Sequence, residues 1–112
     1  DWLRNKFYSF SFRVPTATVS CSDISVELKK NVDAKQIIDL FKEKQNDQTN
    51  NIFDNNFEPL VSIDFKGSSY SAIIDHRWTS INDNNYLKLI LWYDNEWGYS
   101  NRVYDLIELL DI

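Results

Sequence analysis

Glycine, cysteine and histidine are scarce in this sequence, and each scarcity excludes a class of site. The 112 residues include 2 Gly, 1 Cys and 1 His, whereas average usage gives roughly 8 glycines in a chain of this length. With glycine only at Gly67 and Gly98, the chain has no glycine-rich turn that could cradle the phosphates of a dinucleotide. One Cys and one His are too few for a zinc site of common type, so no metal is expected. A single Cys forms no internal disulfide, which favours a reducing compartment.

Positive charge and long apolar segments are also missing. Lys and Arg number 12 against 17 Asp and Glu, a formal net charge of -5, so we expect no nucleic-acid partner, which would need a basic face. No apolar run approaches the ~20 residues of a membrane-spanning helix, and the first residues lack the pattern of a secretory signal peptide. These features predict a cytoplasmic location and no membrane partner. Hydrophobic residues make up 43% of the chain, which indicates one packed domain.

The hydrophobic periodicity predicts strands, a helix, more strands and a final helix. The predicted strands or extended segments lie at residues 10–14, 19–28, 60–65, 71–75, 78–81 and 86–93. A change of parity near Ser22 indicates a bulge or apolar side chains on both faces of the second strand. Residues 86–93 carry apolar side chains in both phases, as a central strand does. This order predicts an α+β fold, with a mixed or antiparallel sheet and helices packed on one face.

Helix and turn signals refine this prediction. Asp33 and Gln36 have the spacing of a capping box, and an apolar stripe follows them. Residues 45–51 are polar and predict a surface loop. The Asn-rich run at residues 82–85 predicts a hairpin turn. Ser100 or Asn101 is expected to cap the final helix, whose apolar stripe comprises Val103, Leu106, Ile107 and Leu110.

Residues 92–102 read Trp-Tyr-Asp-Asn-Glu-Trp-Gly-Tyr-Ser-Asn-Arg, a polar and aromatic stretch between a buried strand and a helix. Ligands bind at such junctions, and the Asn95 amide can pair with another amide while Tyr99 offers a flat ring. A capped helix start with aromatic packing explains the same residues. Arg13, likewise, is either a clamp for a phosphate or a solvated Arg at a strand edge. From the residues alone, both questions stay open.

The stretch at residues 92–102 resembles the C-terminal signature of phosphorylating glyceraldehyde-3-phosphate dehydrogenases. Residues 12–16, Phe-Arg-Val-Pro-Thr, resemble a second block of that family, and shorter matches follow in the family's order along the whole chain. The resemblance implies that residues 1–112 are a C-terminal portion of the catalytic domain. The Rossmann domain, the Ser-Cys-Thr-Thr-Asn nucleophile block and the catalytic His would then lie outside this chain.

The resemblance also implies roles for three residues. Arg13 would contact the substrate phosphate, Asn95 would hold the nicotinamide carboxamide, and Tyr99 would lie beside the same ring. No catalytic residue is expected in this segment. The full-length protein would be a glycolytic homo-tetramer that oxidises and phosphorylates glyceraldehyde 3-phosphate with inorganic phosphate and NAD or NADP. We expect the 112-residue segment alone to be inactive and to bind no dinucleotide.

Several alternatives remain at this point. Cys21 and His76 are expected to be a small buried side chain and an ordinary satisfied or surface residue, although the sequence does not exclude a dyad between them. Residues 75–78 are bulkier than the family's pattern, which fits either compositional drift or a non-catalytic paralogue. Such a paralogue would be a structural subunit on the same fold. A relative acting on erythrose 4-phosphate is a further alternative.

Overall fold

A mixed sheet of five strands forms the centre of the computed structural model, which describes residues 4–110. The elements follow the chain as β1 (Ser20–Glu27), α1 (Ala34–Asp47), β2 (Phe53–Asn56), a 3-10 helix (Ser62–Phe65), β3 (Ala72–Asp75), β4 (Ser80–Asn82), β5 (Tyr86–Tyr93) and α2 (Trp97–Leu109). The strand order is β1-β5-β3-β2, and β4 also pairs with β5. Only the β2–β3 pair is parallel. The predicted α+β class with a mixed sheet is confirmed.

Strand β5 pairs along both of its edges, as the sequence predicts for a central strand. Strand β1 covers one edge from Ser20 opposite Tyr93 to Glu27 opposite Tyr86. Strands β3 and β4 divide the other edge between them. Because neighbouring side chains of a strand alternate between faces, Leu87 and Leu89 share one face of the sheet and are buried there.

Two apolar clusters lie on opposite faces of the sheet. Helix α1 supplies Ile37 to the first cluster, which also contains Ile74, Leu87 and Leu89. The second cluster contains Val19, Phe65 and Ile73, with Trp92 packed against it. The rings of Phe65 and Trp92 stack with centroids 5.6 Å apart. The 3-10 helix therefore covers the face that α1 leaves open.

Local signals in the sequence specify the start of α1 and the hairpin turn. Asp33 Oδ1 accepts the Gln36 N–H at 2.8 Å, and the Asp33 N–H donates to Gln36 Oε1 at 2.9 Å, so the predicted capping box is confirmed. Between β4 and β5, Asp83 and Asn84 have φ values of 50° and 66°. Asp and Asn tolerate this left-handed backbone better than most residues. The predicted hairpin is therefore confirmed.

Residues 10–14 form no strand, so the strand predicted there from the sequence is wrong. Within residues 4–110 this segment has no sheet partner, and Phe10 and Phe12 are 71% and 81% exposed. The alternation is nevertheless present, because these two rings meet edge to face at 5.2 Å. A strand needs a neighbour for its backbone donors and acceptors, and the described part of the chain supplies none here.

Other element predictions also need correction. Strand β1 contains no bulge, since its eight consecutive pairs with β5 are regular. The change of parity instead places Cys21 and Ile24 on opposite faces. Residues 62–65 form a 3-10 helix and not a strand, the strand β2 was missed, and α1 continues through residue 47 into the predicted loop. The polar side chains of β2 hid its signal, because the partly buried Asn55 bonds to Gln45 and to the Phe41 carbonyl oxygen of α1.

Helix α2 leaves the sheet after β5, and its only buried residue is Gly98. The predicted apolar stripe has the expected helical spacing, but its side chains are 39–58% exposed: Val103, Leu106, Ile107 and Leu110. Helix α1 thus covers a face of the sheet, whereas the stripe of α2 faces no core among residues 4–110. Neither helix in that range is long and apolar enough to cross a lipid bilayer.

A polar network lies at the end of β3, among the bulky residues 75–78. Asp75 is fully buried, and Arg77 donates to its two oxygens at 2.8 and 2.5 Å while Trp92 Nε1 donates at 3.2 Å. Burial acts to raise the pKa of Asp75, but the hydrogen bonds from Arg77 and Trp92 outweigh it, so that pKa lies below its usual range. Arg77 also donates to the Leu60 carbonyl oxygen at 2.9 Å. The bulky residues therefore tie β3, β5 and the segment before the 3-10 helix together.

His76 is a satisfied core residue, as expected. Its Nε2 lies 2.6 Å from Asn55 Oδ1 and its Nδ1 lies 3.0 Å from Thr79 Oγ1. An amide oxygen only accepts, so Nε2 carries the proton and Nδ1 accepts from the hydroxyl. The ring stacks on Phe57 at 4.9 Å. Burial, and next the charge of Lys42, lower the pKa of His76, so the neutral ring is the native form.

We expect Leu89→Ala to lower the free energy of unfolding by about 2–5 kcal/mol, the usual cost of removing a large buried side chain. Leu89 is 7% exposed in the cluster beneath α1. The matched control is Leu109→Ala, because Leu109 is 80% exposed and its truncation should cost little. Urea denaturation measures both variants. Equal midpoints for the two would show that β5 is not the central strand.

We also expect protonation of His76 to destabilise the fold. An unfolded His binds its proton with a pKa near 6.5, and the folded pKa is lower. Below about pH 6.5 the unfolded chain therefore binds more protons, and the free energy of unfolding falls as the pH falls. Urea denaturation between pH 7.5 and 5.5 should show this slope in the wild type and a weaker slope in His76→Gln. Parallel slopes would contradict a neutral buried ring.

Candidate functional site

An open cleft of about 240 Å³ lies where β5 ends and α2 begins. Its lining comprises Ser71, Tyr93, Asp94, Asn95, Gly98, Tyr99 and Arg102. Two residues singled out in the sequence, Asn95 and Tyr99, therefore line the same cleft. A second cleft of about 470 Å³, lined by Ala17, Thr18, Lys66 and Trp97 among others, also has Asp94 in its wall.

Asp94 anchors the loop between β5 and α2. It is 5% exposed, and its Oδ1 accepts the N–H groups of Glu96 at 3.0 Å and Trp97 at 2.9 Å. Its Oδ2 accepts the N–H of Gly67 at 2.8 Å, from the loop before β3. These backbone donors, Gly67 first and Trp97 next, lower the pKa of Asp94. The carboxylate thus stays ionised at the positive end of α2, where a negative charge is favourable.

A second contact fixes the orientation of the Asn95 side chain. The Val19 N–H donates to Asn95 Oδ1 at 3.0 Å. Val19 has a φ of 72°, a value that is an outlier for a β-branched residue. Since Oδ1 is engaged by a donor, the Asn95 NH₂ group is the end of the amide left to donate, and it has no partner among residues 4–110. Asn95 is exposed, so this NH₂ group is accessible from the cleft.

Helix α2 is held to the loops before β2 and β3 by a close approach and by Arg102. A Cβ on Gly98 would stand 2.7 Å from the Tyr70 carbonyl oxygen, so only glycine permits this contact. Arg102 donates to the Asn51 carbonyl oxygen at 3.0 Å and to Ser71 Oγ at 3.2 Å, and it pairs with Asp105. Arg102 therefore holds α2 in place. Tyr99 is 71% exposed, and it lines the same cleft as Arg102.

Arg13 lies apart from the other two site residues. It is exposed in the unpaired segment before Pro15 and lines neither cleft. It forms no ion pair or hydrogen bond with another residue in the range 4–110. The chain continues from Arg13 to Thr18 and Val19, which contact Asp94 and Asn95. Five residues, 14–18, thus separate Arg13 from Val19, and Arg13 itself lines neither cleft.

Cys21 and His76 do not form a dyad. Both ring nitrogens of His76 are engaged by Thr79 and Asn55. Cys21 is exposed, which corrects the expectation of a buried side chain, because it lies on the open face of β1 opposite Trp92. Partial burial, and next the charge of Asp23, raise the pKa of the Cys21 thiol. A nucleophilic Cys needs the opposite shift.

Asp94 and Val19, whose contacts hold this loop, were not singled out from the sequence. Ser100 and Asn101 were expected to cap α2, but the helix begins at Trp97 and Asp94 accepts its first N–H groups. The signal was present, since Asp94 precedes Trp97 by three residues, the spacing of an N-cap contact. For Val19 there was no signal, because a positive φ in a β-branched residue is imposed by tertiary contacts.

The sequence is similar to a known protein family over most of its length. The sequence model of the family "Glyceraldehyde 3-phosphate dehydrogenase, C-terminal domain" matches residues 1–95. The chain is 43% identical to "Glyceraldehyde-3-phosphate dehydrogenase 2" of Staphylococcus aureus over 106 residues, which is 95% of the chain and 30% of that protein. It is 42% identical to the protein of the same name from Staphylococcus epidermidis, with the same coverage. The chain thus spans about 30% of the length of these curated relatives.

Proposed function

Because the chain belongs to the glyceraldehyde-3-phosphate dehydrogenase family, we propose that it is the C-terminal portion of a phosphorylating, NAD- or NADP-dependent aldehyde dehydrogenase. In this proposal residues 1–112 belong to the catalytic domain, and the dinucleotide-binding domain and the catalytic Cys and His belong to the rest of a longer protein. The segment supplies Arg13 for the substrate phosphate and Asn95 and Tyr99 for the nicotinamide.

The orientation of the Asn95 amide carries the proposal. A nicotinamide bears a carboxamide whose oxygen is an acceptor, and the free NH₂ group of Asn95 is a donor held in one orientation by Val19. Tyr99, in the same cleft, offers a flat face for the ring. When bound, the dinucleotide would accept a hydride from the substrate. The residues of this chain would orient its ring, because they fit the polar edge and the flat face of a nicotinamide.

Two exposed apolar surfaces support a larger protein around this segment. Residues 7–14 carry five apolar side chains that are 54–87% exposed, on backbone without a sheet partner among residues 4–110. The stripe of α2 is the second surface. Soluble proteins rarely leave contiguous surfaces of this kind uncovered. We assign the missing cover to the other domain and to neighbouring subunits of a homo-tetramer.

The reaction proposed for the full-length protein would oxidise the aldehyde of glyceraldehyde 3-phosphate, with NAD or NADP as the oxidant, and would release the acyl group to inorganic phosphate as an acyl phosphate. The nucleophile for this reaction would come from outside this segment. Arg13 would hold the phosphate that the substrate already carries. We propose a cytoplasmic location for the full-length protein. The segment alone would be inactive, because Cys21 has a raised pKa and no base.

The bulky residues at 75–78 do not favour a non-catalytic paralogue. Asp75 and Arg77 pair with each other, His76 is satisfied by Asn55 and Thr79, and none of the three lines the cleft beside Asn95. The departures from the family's pattern are thus accommodated in a separate network, and the candidate site keeps its own contacts.

The activity assay tests the proposal directly. We expect the full-length protein to form NADH or NADPH from glyceraldehyde 3-phosphate only when inorganic phosphate or arsenate is present. The isolated 112-residue chain is the matched control and should give the rate of a blank without protein. Erythrose 4-phosphate as a second aldehyde separates the two related activities. A full-length protein inactive with both aldehydes would favour the structural paralogue.

Arg13 has its own test in the full-length protein. We expect Arg13→Leu to lower kcat/KM for glyceraldehyde 3-phosphate about ten- to hundredfold, because a charge-assisted hydrogen bond to phosphate contributes roughly 1.5–3 kcal/mol. The Michaelis constant for NAD should stay within about twofold, since Arg13 lies outside the cleft of Asn95.

Glyceraldehyde, which carries no phosphate, is the control substrate. Its turnover should be nearly unchanged in Arg13→Leu, since it never makes the contact. An equal loss for both aldehydes would mean that Arg13 acts through packing of its aliphatic stem. An unchanged kcat/KM for both aldehydes would mean that Arg13 is only a solvated surface residue.

A further inference from the structure

We propose that Asp94 is a positioning residue for Asn95: its carboxylate joins three chain segments so that the Asn95 amide keeps a single orientation toward the nicotinamide. This inference rests on the proposed function of Asn95. Asp94 itself is buried and would act through its neighbours without touching the reacting atoms.

The contacts of Asp94 converge on the cleft from separate parts of the chain. Oδ1 accepts the N–H groups of Glu96 and Trp97 at the start of α2, and Oδ2 accepts the Gly67 N–H from the loop before β3. The Thr18 hydroxyl, from the segment before β1, lies 3.5 Å from Oδ1. Asn95 is the next residue after Asp94, so these contacts fix the backbone from which its side chain projects.

Val19 completes the clamp on the amide. It follows Thr18, and its backbone has a φ of 72°, a strained value for a non-glycine residue that persists only where the surroundings enforce it. With that backbone, its N–H donates to Asn95 Oδ1. The Val19 side chain is buried in the cluster with Phe65 and Ile73. The amide orientation thus depends on the core on one side and on Asp94 on the other.

The geometry requires a carboxylate and not an amide at position 94. A carboxylate has acceptors at both oxygens, which is what donors on Oδ1 and Oδ2 need. An Asn side chain would present its NH₂ group either to the Gly67 N–H or to the N–H groups of α2. One of those connections would be lost, although Asn has almost the same shape.

Calorimetry on the full-length protein tests this role through dinucleotide affinity, which does not depend on turnover. The wild type is titrated with NAD and with NADP, and the tighter dinucleotide is used for the variants. We expect Asn95→Ala and Asp94→Asn each to weaken binding about tenfold, the effect of losing one well-formed hydrogen bond. The double variant should bind only as weakly as Asn95→Ala, because Asp94 acts through Asn95.

Asp75→Asn is the matched control. Asp75 is an equally buried carboxylate with strong hydrogen bonds, but it lines neither cleft. It should lower the unfolding midpoint and leave the affinity within about twofold. Hydrogen–deuterium exchange of a peptide that contains Val19 gives a second readout. Exchange at the Val19 amide should accelerate in Asp94→Asn and in Asn95→Ala, and not in Asp75→Asn.

Each outcome has a distinct meaning. Unchanged affinity in Asp94→Asn, or losses that multiply in the double variant, would overturn the positioning role while leaving the proposed function intact. Unchanged affinity in Asn95→Ala would reject the proposed role of Asn95 itself. If Asp94→Asn does not fold, Asp94→Ser serves instead, because Ser can cap α2 but its single oxygen cannot also hold Gly67. Unchanged affinity in Asp94→Ser, or losses that multiply when it is combined with Asn95→Ala, would then overturn the inference.

Discussion

The pairing of β5 on both edges is the constraint on which the rest of the structure depends. Strand β1 occupies one edge over eight residues, and β3 and β4 share the other. Because side chains alternate along the strand, Leu87 and Leu89 face the core beneath α1 while Trp92 packs against the second cluster. Strand β5 therefore contributes to both apolar clusters, and the loop that follows it starts from a fixed position.

The candidate site uses that fixed position. Asp94 comes directly after β5, and its carboxylate gathers backbone donors from the loop before β3 and from the start of α2. Such charge-assisted bonds are roughly twice as strong as neutral ones, and burial shields them from water. The next residue, Asn95, then meets the strained backbone of Val19. A short loop thus presents an amide with one defined orientation, although that loop is at the surface.

The polar side chains at the ends of β3 and β5 form two separate hydrogen-bonded groups. Asp75, His76 and Arg77 bond to one another or to nearby partners, and they hold β3 to β5 and to the segment before the 3-10 helix. Asp94 holds the start of α2, while Asn95 accepts from Val19 and keeps one NH₂ group without a partner among residues 4–110. Residues 75–78 line neither cleft, so their network is separate from the contacts of Asp94 and Asn95.

The sequence by itself determined the capping box of α1, the hairpin turn and the central strand, because each depends on neighbouring residues and on a local period of the chain. The Trp92-to-Arg102 stretch and the Phe-Arg-Val-Pro-Thr run also identified the family, which the matches to residues 1–95 and to the Staphylococcus proteins confirm. Only the tertiary structure decided whether residues 10–14 form a strand, since an alternating segment becomes a strand only where another strand completes its hydrogen bonds. It also decided that β2, polar in sequence, is a strand, because Asn55 finds its partners on α1. The joining of Asp94 to Gly67 and of Asn95 to Val19 follows the same logic: the partners are 27 and 76 residues apart, and no local pattern specifies contacts at that distance.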